Sequence, residues 1–215
     1  MGGWAGDDPR GYDEMFVQVF QGRVTDPAAM RAALDRWASE LAPGADGWQG
    51  STAGVTADGR FIAFAGFASA EQARRNSDRP EQDRWWAETS KLFDGEVTFH
   101  DSDDVYEEKV GRRRDAGFVQ VMQGRGTDPD RARELMSERP DDWRAFRPDV
   151  LGSITAQYGD GEFATAIYFT NEAEAREYEA KEPPPELKAQ MDELNSLAMG
   201  PPEFFDLTDP WIYTP

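Results

Sequence analysis

The chain has 215 residues, 39% of them hydrophobic and 30% charged, with no Cys, a single His and a formal net charge of −19. Without Cys there is no disulfide framework, thiolate nucleophile or thiolate metal site, and the acidity repels phosphate backbones and anionic membrane surfaces. No apolar run approaches the roughly 20 residues that span a bilayer, and Met1-Gly-Gly-Trp-Ala-Gly-Asp-Asp8 lacks a signal-peptide pattern, so a cytoplasmic protein without nucleic-acid or membrane partners is expected.

Residues 1–12 read as a flexible tail. Val17 and Val19 then alternate with Gln18 and Phe20, the period of a strand, which Gly22-Arg23 ends. Asp26-Pro27 predicts a helix start: Asp caps free backbone amides, and Pro suits the first helical position, where its missing N–H costs nothing. Met30, Leu34, Trp37 and Leu41 continue at helical spacing to Pro43-Gly44. Trp48 to Val55 and Phe61 to Phe67 flank Asp58-Gly59, a hairpin signal because Gly accepts the positive φ of a tight turn. Ser69-Ala-Glu-Gln72 has the spacing of a capping box and opens a second helix, broken near Ser77-Asp-Arg-Pro80 and resumed through Trp85 and Trp86. A last strand is expected over Glu96 to Asp101.

The same order then returns. Phe16-Val-Gln-Val-Phe-Gln-Gly-Arg-Val-Thr-Asp-Pro27 recurs as Phe118-Val-Gln-Val-Met-Gln-Gly-Arg-Gly-Thr-Asp-Pro129, and the offset of 102 positions holds into Asp160-Gly161 and the capping spacing Asn171-Glu-Ala-Glu174. Pro183-Pro-Pro185 makes the helix break, and Phe204-Phe-Asp206 aligns with Phe99-His-Asp101 after a small insertion. The chain is one module written twice: a first repeat over 13–106, a linker over 107–117 and a second repeat over 118–215. Each repeat reads β-α-β-β-α-β, the ferredoxin-like pattern, whose sheet has one face uncovered. The expected fold is therefore α+β: two tandem ferredoxin-like repeats packed sheet to sheet as an intrachain pseudo-dimeric α/β barrel with a lumen, complete in a monomer. The basic run Arg112-Arg113-Arg114 falls in the linker and reads as solvated.

In its element order, its Gly-Arg strand exit and its stretch from Asn76-Ser-Asp-Arg-Pro80 to Trp85-Trp86, the chain resembles the dimeric α/β-barrel superfamily. Within it, the similarity is to the antibiotic-biosynthesis-monooxygenase-like branch, here fused in tandem, in an actinobacterial type of unassigned function. The resemblance implies a small-molecule pocket, between sheet and helices or in the lumen. It also implies an activity class, since members include cofactor-independent oxygenases of polycyclic aromatic compounds and haem-degrading enzymes, beside barrels without demonstrated activity.

On that reading His100, the only imidazole, is the candidate catalytic base. Trp85 and Trp86 are candidate aromatic walls of a substrate site, although the helical geometry points neighbours in different directions. Counting 102 positions onward from them gives Leu187 and Lys188, so the aromatic wall is expected in the first repeat only. Gln18 and Gln120 are polar residues in apolar strands, fit either to read a ligand or to bond within the fold. Arg23 and Arg125 close the same strands and could hold a carboxylate or phenolate, or pair with a local Asp; Asn76 sits at a pocket rim. No metal cluster, nucleotide loop or cofactor motif is visible. The expectation is a small-molecule-binding barrel, a monooxygenase-like enzyme acting on an aromatic or polyketide-like metabolite. The alternatives are a non-catalytic ligand-binding or protein-interaction barrel, and haem binding through His100.

Overall fold

The computed structural model describes residues 15–215; the tail expected over 1–12 lies outside them. Strand β1 (Phe16–Arg23) leads into α1 (Pro27–Arg36), which widens into a π turn over Trp37–Leu41 and then tightens into a 3-10 turn over Ala42–Gly44. The β2 (Trp48–Val55) and β3 (Arg60–Phe67) hairpin follows, then α2 (Ala70–Ser77), α3 (Pro80–Thr89) and β4 (Thr98–Ser102). After β5 (Asp104–Lys109) the order repeats as β6 (Phe118–Arg125), α4 (Pro129–Ser137), α5 (Pro140–Phe146), β7 (Val150–Tyr158), β8 (Glu162–Phe169), α6 (Glu172–Glu179), α7 (Pro185–Ser196), β9 (Glu203–Leu207) and β10 (Trp211–Tyr213). Among the described residues no helix is long and apolar enough to cross a membrane.

The local devices act as the sequence predicts. Asp26 and Asp128 accept from the amides of Ala29 and Arg131 at the starts of α1 and α4, each followed by Pro. Ser69 and Asn171 do the same for α2 and α6. Gly59 and Gly161 take φ of 83° and 81° in the two hairpins, where a side chain would be strained.

The strands form two antiparallel sheets, ordered β10-β2-β3-β1-β4 and β5-β7-β8-β6-β9. Beyond the expected four strands, each sheet gains a fifth from the other repeat. Asp103 carries the chain from β4 across to β5, so Glu107–Lys109, read from sequence as the start of the linker, pair with β7 instead. In return β10 pairs with β2. Behind β5 the basic run is paired, Arg112 with Asp115 at 2.8 Å and Arg113 with Glu107 at 3.0 Å.

Alternation along the strands divides each sheet into two faces. Val17, Val19, Ile62 and Phe64 meet Val119, Val121, Ile154 and Phe205 between the sheets, in a core with residues from both repeats. The lumen is thus packed with side chains. Tyr168 is fully buried there, its hydroxyl 2.7 Å from that of Thr52 on the opposite sheet. The other face of the first sheet packs Phe20, Phe61 and Ala63 against Met30, Leu34 and Trp85 of the helices.

Candidate functional site

Between that helix-facing side of the first sheet and helices α1 to α3 lies a cavity of about 230 Å³. Its floor is low because Ala53 and Ala63, opposite each other on β2 and β3, and Ala65 beside them carry only methyl groups. Its roof is aromatic. Trp85 is buried, anchored by its indole N–H donating to the carbonyl of Ala33 at 2.9 Å. Trp86 stands edge-on to Phe20 at 6.1 Å and to Phe99 at 5.4 Å, and Phe20 and Phe99 stack at 5.7 Å. Edge-to-face and offset pairs of this kind are favourable beyond their area, so these walls are rigid.

Besides Ser51, Ser77, Gln82 and Asp83, three polar groups reach into this apolar space. Gln18 donates from Nε2 to Asp101 at 2.8 Å, which leaves its amide oxygen as an acceptor. Asn76 is only 7% exposed. Arg79 donates to its Oδ1 at 2.9 Å, to the Leu41 carbonyl at 3.1 Å and to Glu81 at 2.9 Å, stapling the break between α2 and α3 to the end of α1. Glu81 lies below the usual carboxylate range, held first by its own backbone amide and then by Arg79. With its oxygen taken by Arg79, Asn76 has its amide N–H left to face the cavity, where an oxygen of a ligand can accept from it. Third, Tyr213 of β10 donates its hydroxyl to Asp35 at 2.8 Å; burial, and then the Asp35 carboxylate, raise its pKa. Asp83 is the carboxylate that lines the cavity, at its exposed rim.

Of the residues singled out from sequence, Gln18, Asn76, Trp85 and Trp86 converge on this cavity. His100 does not reach it. Phe99 takes the cavity face of β4, so the next residue points between the sheets, where the imidazole stacks on Tyr158 of β7 at 4.3 Å and 20°. Tyr158 accepts from Gln123 at 3.3 Å, and burial pushes its pKa up to about 12. Gln21 faces the same interior, its Oε1 buried without a partner among the described residues. Arg23 and Arg125 lie outside both, donating to the carbonyls of Asp58 at 2.5 Å and Asp160 at 2.7 Å and tying the first strand of each repeat to its own hairpin. The pattern missed Phe20, Phe99, Asp83, Tyr213 and the alanine floor. A position-by-position comparison of the repeats exposes the floor, but no local pattern marks Tyr213, which comes from the far end of the chain.

Gln120 belongs to the second repeat, where the equivalent space is occupied differently. Thr155 and Thr165 replace Ala53 and Ala63 and bond each other at 2.9 Å, and Ile167 replaces Ala65. Gln120 donates to Asp206 at 2.8 Å, as Gln18 does to Asp101, but Asp206 also receives Arg176 at 2.5 Å, whose guanidinium lies 5.0 Å from the Phe118 ring. The matching Arg74 pairs instead with Asp78, away from the sheet. Leu187 and Lys188 are not the counterparts of Trp85 and Trp86. Gln190 reaches the carbonyl of Leu135, the position equivalent to Ala33, so the offset has grown from 102 to 105. The extra residues sit at the proline break: α3 and α7 begin at 80 and 185, β4 and β9 at 98 and 203.

Haem does not fit these residues, because the one imidazole is stacked in the inter-sheet core rather than presented to the cavity. No group of His, Cys, Asp and Glu among the described residues could hold a metal ion.

No protein-family model and no curated protein matches the chain. Its structure is similar to that of a putative monooxygenase from Lactobacillus acidophilus NCFM, with 11% identity over 94% of this chain and 96% of that one and a TM-score of 0.72. A putative monooxygenase from Fusobacterium nucleatum aligns with a TM-score of 0.71 at 9% identity, over 94% of this chain and 95% of that one. An anthrone oxidase-like protein aligns with a TM-score of 0.63 at 12% identity, over 93% and 94% of the chains. At such identities the likeness is one of fold. The chain therefore shares the fold of these proteins, two tandem ferredoxin-like repeats packed sheet to sheet as an α/β barrel with both halves in one polypeptide.

Proposed function

We propose that the cavity of the first repeat binds a flat, largely apolar molecule, an aromatic or polyketide-like metabolite, and that the protein is a cofactor-independent, monooxygenase-like enzyme acting on it. The observation that carries the reading is the combination of an indole and phenyl enclosure with the amide of Asn76, whose oxygen Arg79 holds and whose N–H is left to the cavity. A planar ring system lies against the wall that Trp86, Phe20 and Phe99 form together, and a carbonyl or phenolate oxygen on it accepts from Asn76. In such a reaction an acidic C–H of the substrate gives up its proton, and the anion passes electrons to dioxygen. One oxygen atom ends as a new carbonyl on the substrate carbon and the other leaves as water. Asn76 stabilises the anionic oxygen in a site with little water, and Asp83 is the group we assign as proton acceptor. A binding-only barrel is the second reading, favoured by the exposure of Asp83, which leaves that carboxylate well solvated.

Native mass spectrometry of the protein purified without added ligand, followed by oxygen uptake with anthrone as probe, tests both. We expect Trp86→Ala to weaken anthrone binding about tenfold, the equivalent of about 1.4 kcal/mol of ring contact, and His100→Ala to leave binding and oxygen uptake unchanged. Wild-type affinity in Trp86→Ala would sink the pocket; anthrone binding by the wild-type protein without oxygen uptake leaves the binding-only barrel.

A further inference from the structure

The cavity crosses all five strands of the first sheet, from Phe99 on edge strand β4, through β1, β3 and β2, to Tyr213 on edge strand β10. With neighbouring strands about 4.8 Å apart, four steps make a slot roughly 19 Å long. At one end Ser77, Asp83 and Phe99 are exposed and form the mouth. At the other stands Tyr213, latched to Asp35 of α1 at 2.8 Å.

Beyond Tyr213 a second, polar cleft of about 270 Å³ opens between Arg31, Asp35, Arg114 and Trp211. Among the described residues Tyr213 is the one side chain that lines both spaces. It is held on three sides: β10 pairs with β2 over Trp211–Tyr213, its hydroxyl holds Asp35, and Asp209 just before the strand pairs with Arg31 at 2.6 Å. The fold does not require an aromatic ring here. In the second sheet the corresponding residue, opposite Ser153 as Tyr213 is opposite Ser51, is Glu108.

We infer that Tyr213 is a specificity-determining residue whose ring is the end wall of the slot and sets how long a flat ligand the first repeat accepts. The inference rests on the reading of this cavity as a ligand site. The wall comes from the second repeat, so the site in the first is complete only when both repeats are joined or paired.

The test is a titration of 1,4-naphthoquinone, 9,10-anthraquinone and 5,12-naphthacenequinone, of two, three and four fused rings, followed by quenching of tryptophan fluorescence. In the wild type we expect a ring number beyond which affinity falls at least tenfold. Tyr213→Ala moves that limit one ring longer by joining slot and cleft. Tyr213→Trp, which keeps an aromatic residue on β10 and remains readable if the alanine variant does not fold, moves it one ring shorter. Trp86→Ala weakens every probe without moving the limit. If Trp86→Ala weakens all three probes while the limit stays put in both Tyr213 variants, or if the wild type shows no limit, the end wall is overturned and the pocket stands. Wild-type affinities in Trp86→Ala overturn the pocket itself, and the end wall with it.

Discussion

The two repeats open on nearly the same twelve residues, yet the first encloses an aromatic slot and the second fills the equivalent space. The backbone is shared; the difference is a short set of exchanges on one sheet face. Ala53, Ala63 and Ala65 become Thr155, Thr165 and Ile167, Trp85 becomes Gln190, and Arg176 swings onto Asp206 where Arg74 points away. The helix-side core follows suit. Behind the first sheet Phe20, Phe61, Trp85 and Trp211 form a large buried cluster beside a smaller one of Phe16, Phe67 and Ala73, and the second repeat keeps the counterpart of the smaller one, Phe118, Phe169 and Ala175. The same fold is thus stable either with apolar walls around a void or with hydrogen-bonded polar groups in its place. In the second repeat Thr155 and Thr165 bond each other; in the first, the amide N–H of Asn76 is left to the cavity.

The sharpest way to break the comparison is to give the first repeat the filling of the second. Ala53→Thr with Ala63→Thr recreates the Thr155 and Thr165 pair on the slot floor. It should reduce anthraquinone affinity by about 2 kcal/mol, roughly 30-fold, as overpacking of a filled site does, with unfolding in urea little changed. Next in size is the inter-sheet contact that only the second repeat supplies. Tyr168 occupies the position of Gly66, and Tyr168→Phe leaves the hydroxyl of buried Thr52 unpaired, so a loss of about 1.5 kcal/mol in denaturant unfolding is expected.

A pH difference comes third. Tyr158 stands where the first repeat has Thr56, and burial raises its pKa to about 12, above the ordinary value of 10.0. Between those values the folded protein holds a proton that the unfolded chain has lost. Stability is therefore fully present below pH 10 and declines as pH rises toward 12. Since Tyr158 is partly exposed the effect is discounted to the order of 1 kcal/mol, and Tyr158→Phe should lessen that alkaline slope in thermal melts, the buried Tyr168 and half-buried Tyr213 keeping their own share of it. The smallest contrast is between the two arginines. Arg176→Ala removes a partner of Asp206 and the cover over Phe118, costing about 0.5–1 kcal/mol because the pair is partly exposed. Arg74→Ala should stay within about 0.5 kcal/mol. Equal losses in urea unfolding would contradict the assignment of Arg176 as the filler.

Much of the fold was legible from the residues. Asp26-Pro27, Asp58-Gly59 and Ser69 through Gln72 each state a local conformation in their own chemistry, and the repetition of each at a constant offset confirmed the reading. The site was legible in part. Trp85, Trp86, Gln18 and Asn76 were named and do converge, but His100 was grouped with them because nothing in a five-residue strand says which of its faces turns toward the helices. Its register against β1 decides that, Val19 opposite His100 and Phe20 opposite Phe99. The offset also misled at α7, where a proline-rich insertion of three positions shifts every later counterpart and only the shared use of the Ala33 and Leu135 carbonyls reveals it.

By itself, then, the sequence determined the duplication, the order of elements, their caps and turns, and the alternation that gives each sheet two apolar faces. These depend on interactions within a few residues, where spacing and side-chain chemistry suffice. Only the tertiary structure decided that the fifth strands change sheets, that the inter-sheet space is packed, that His100 stacks within it and that Tyr213 closes a slot in the other repeat. Each of those follows from contacts between residues far apart in the chain, set by register and by which face of one sheet meets the other, and no local pattern encodes them.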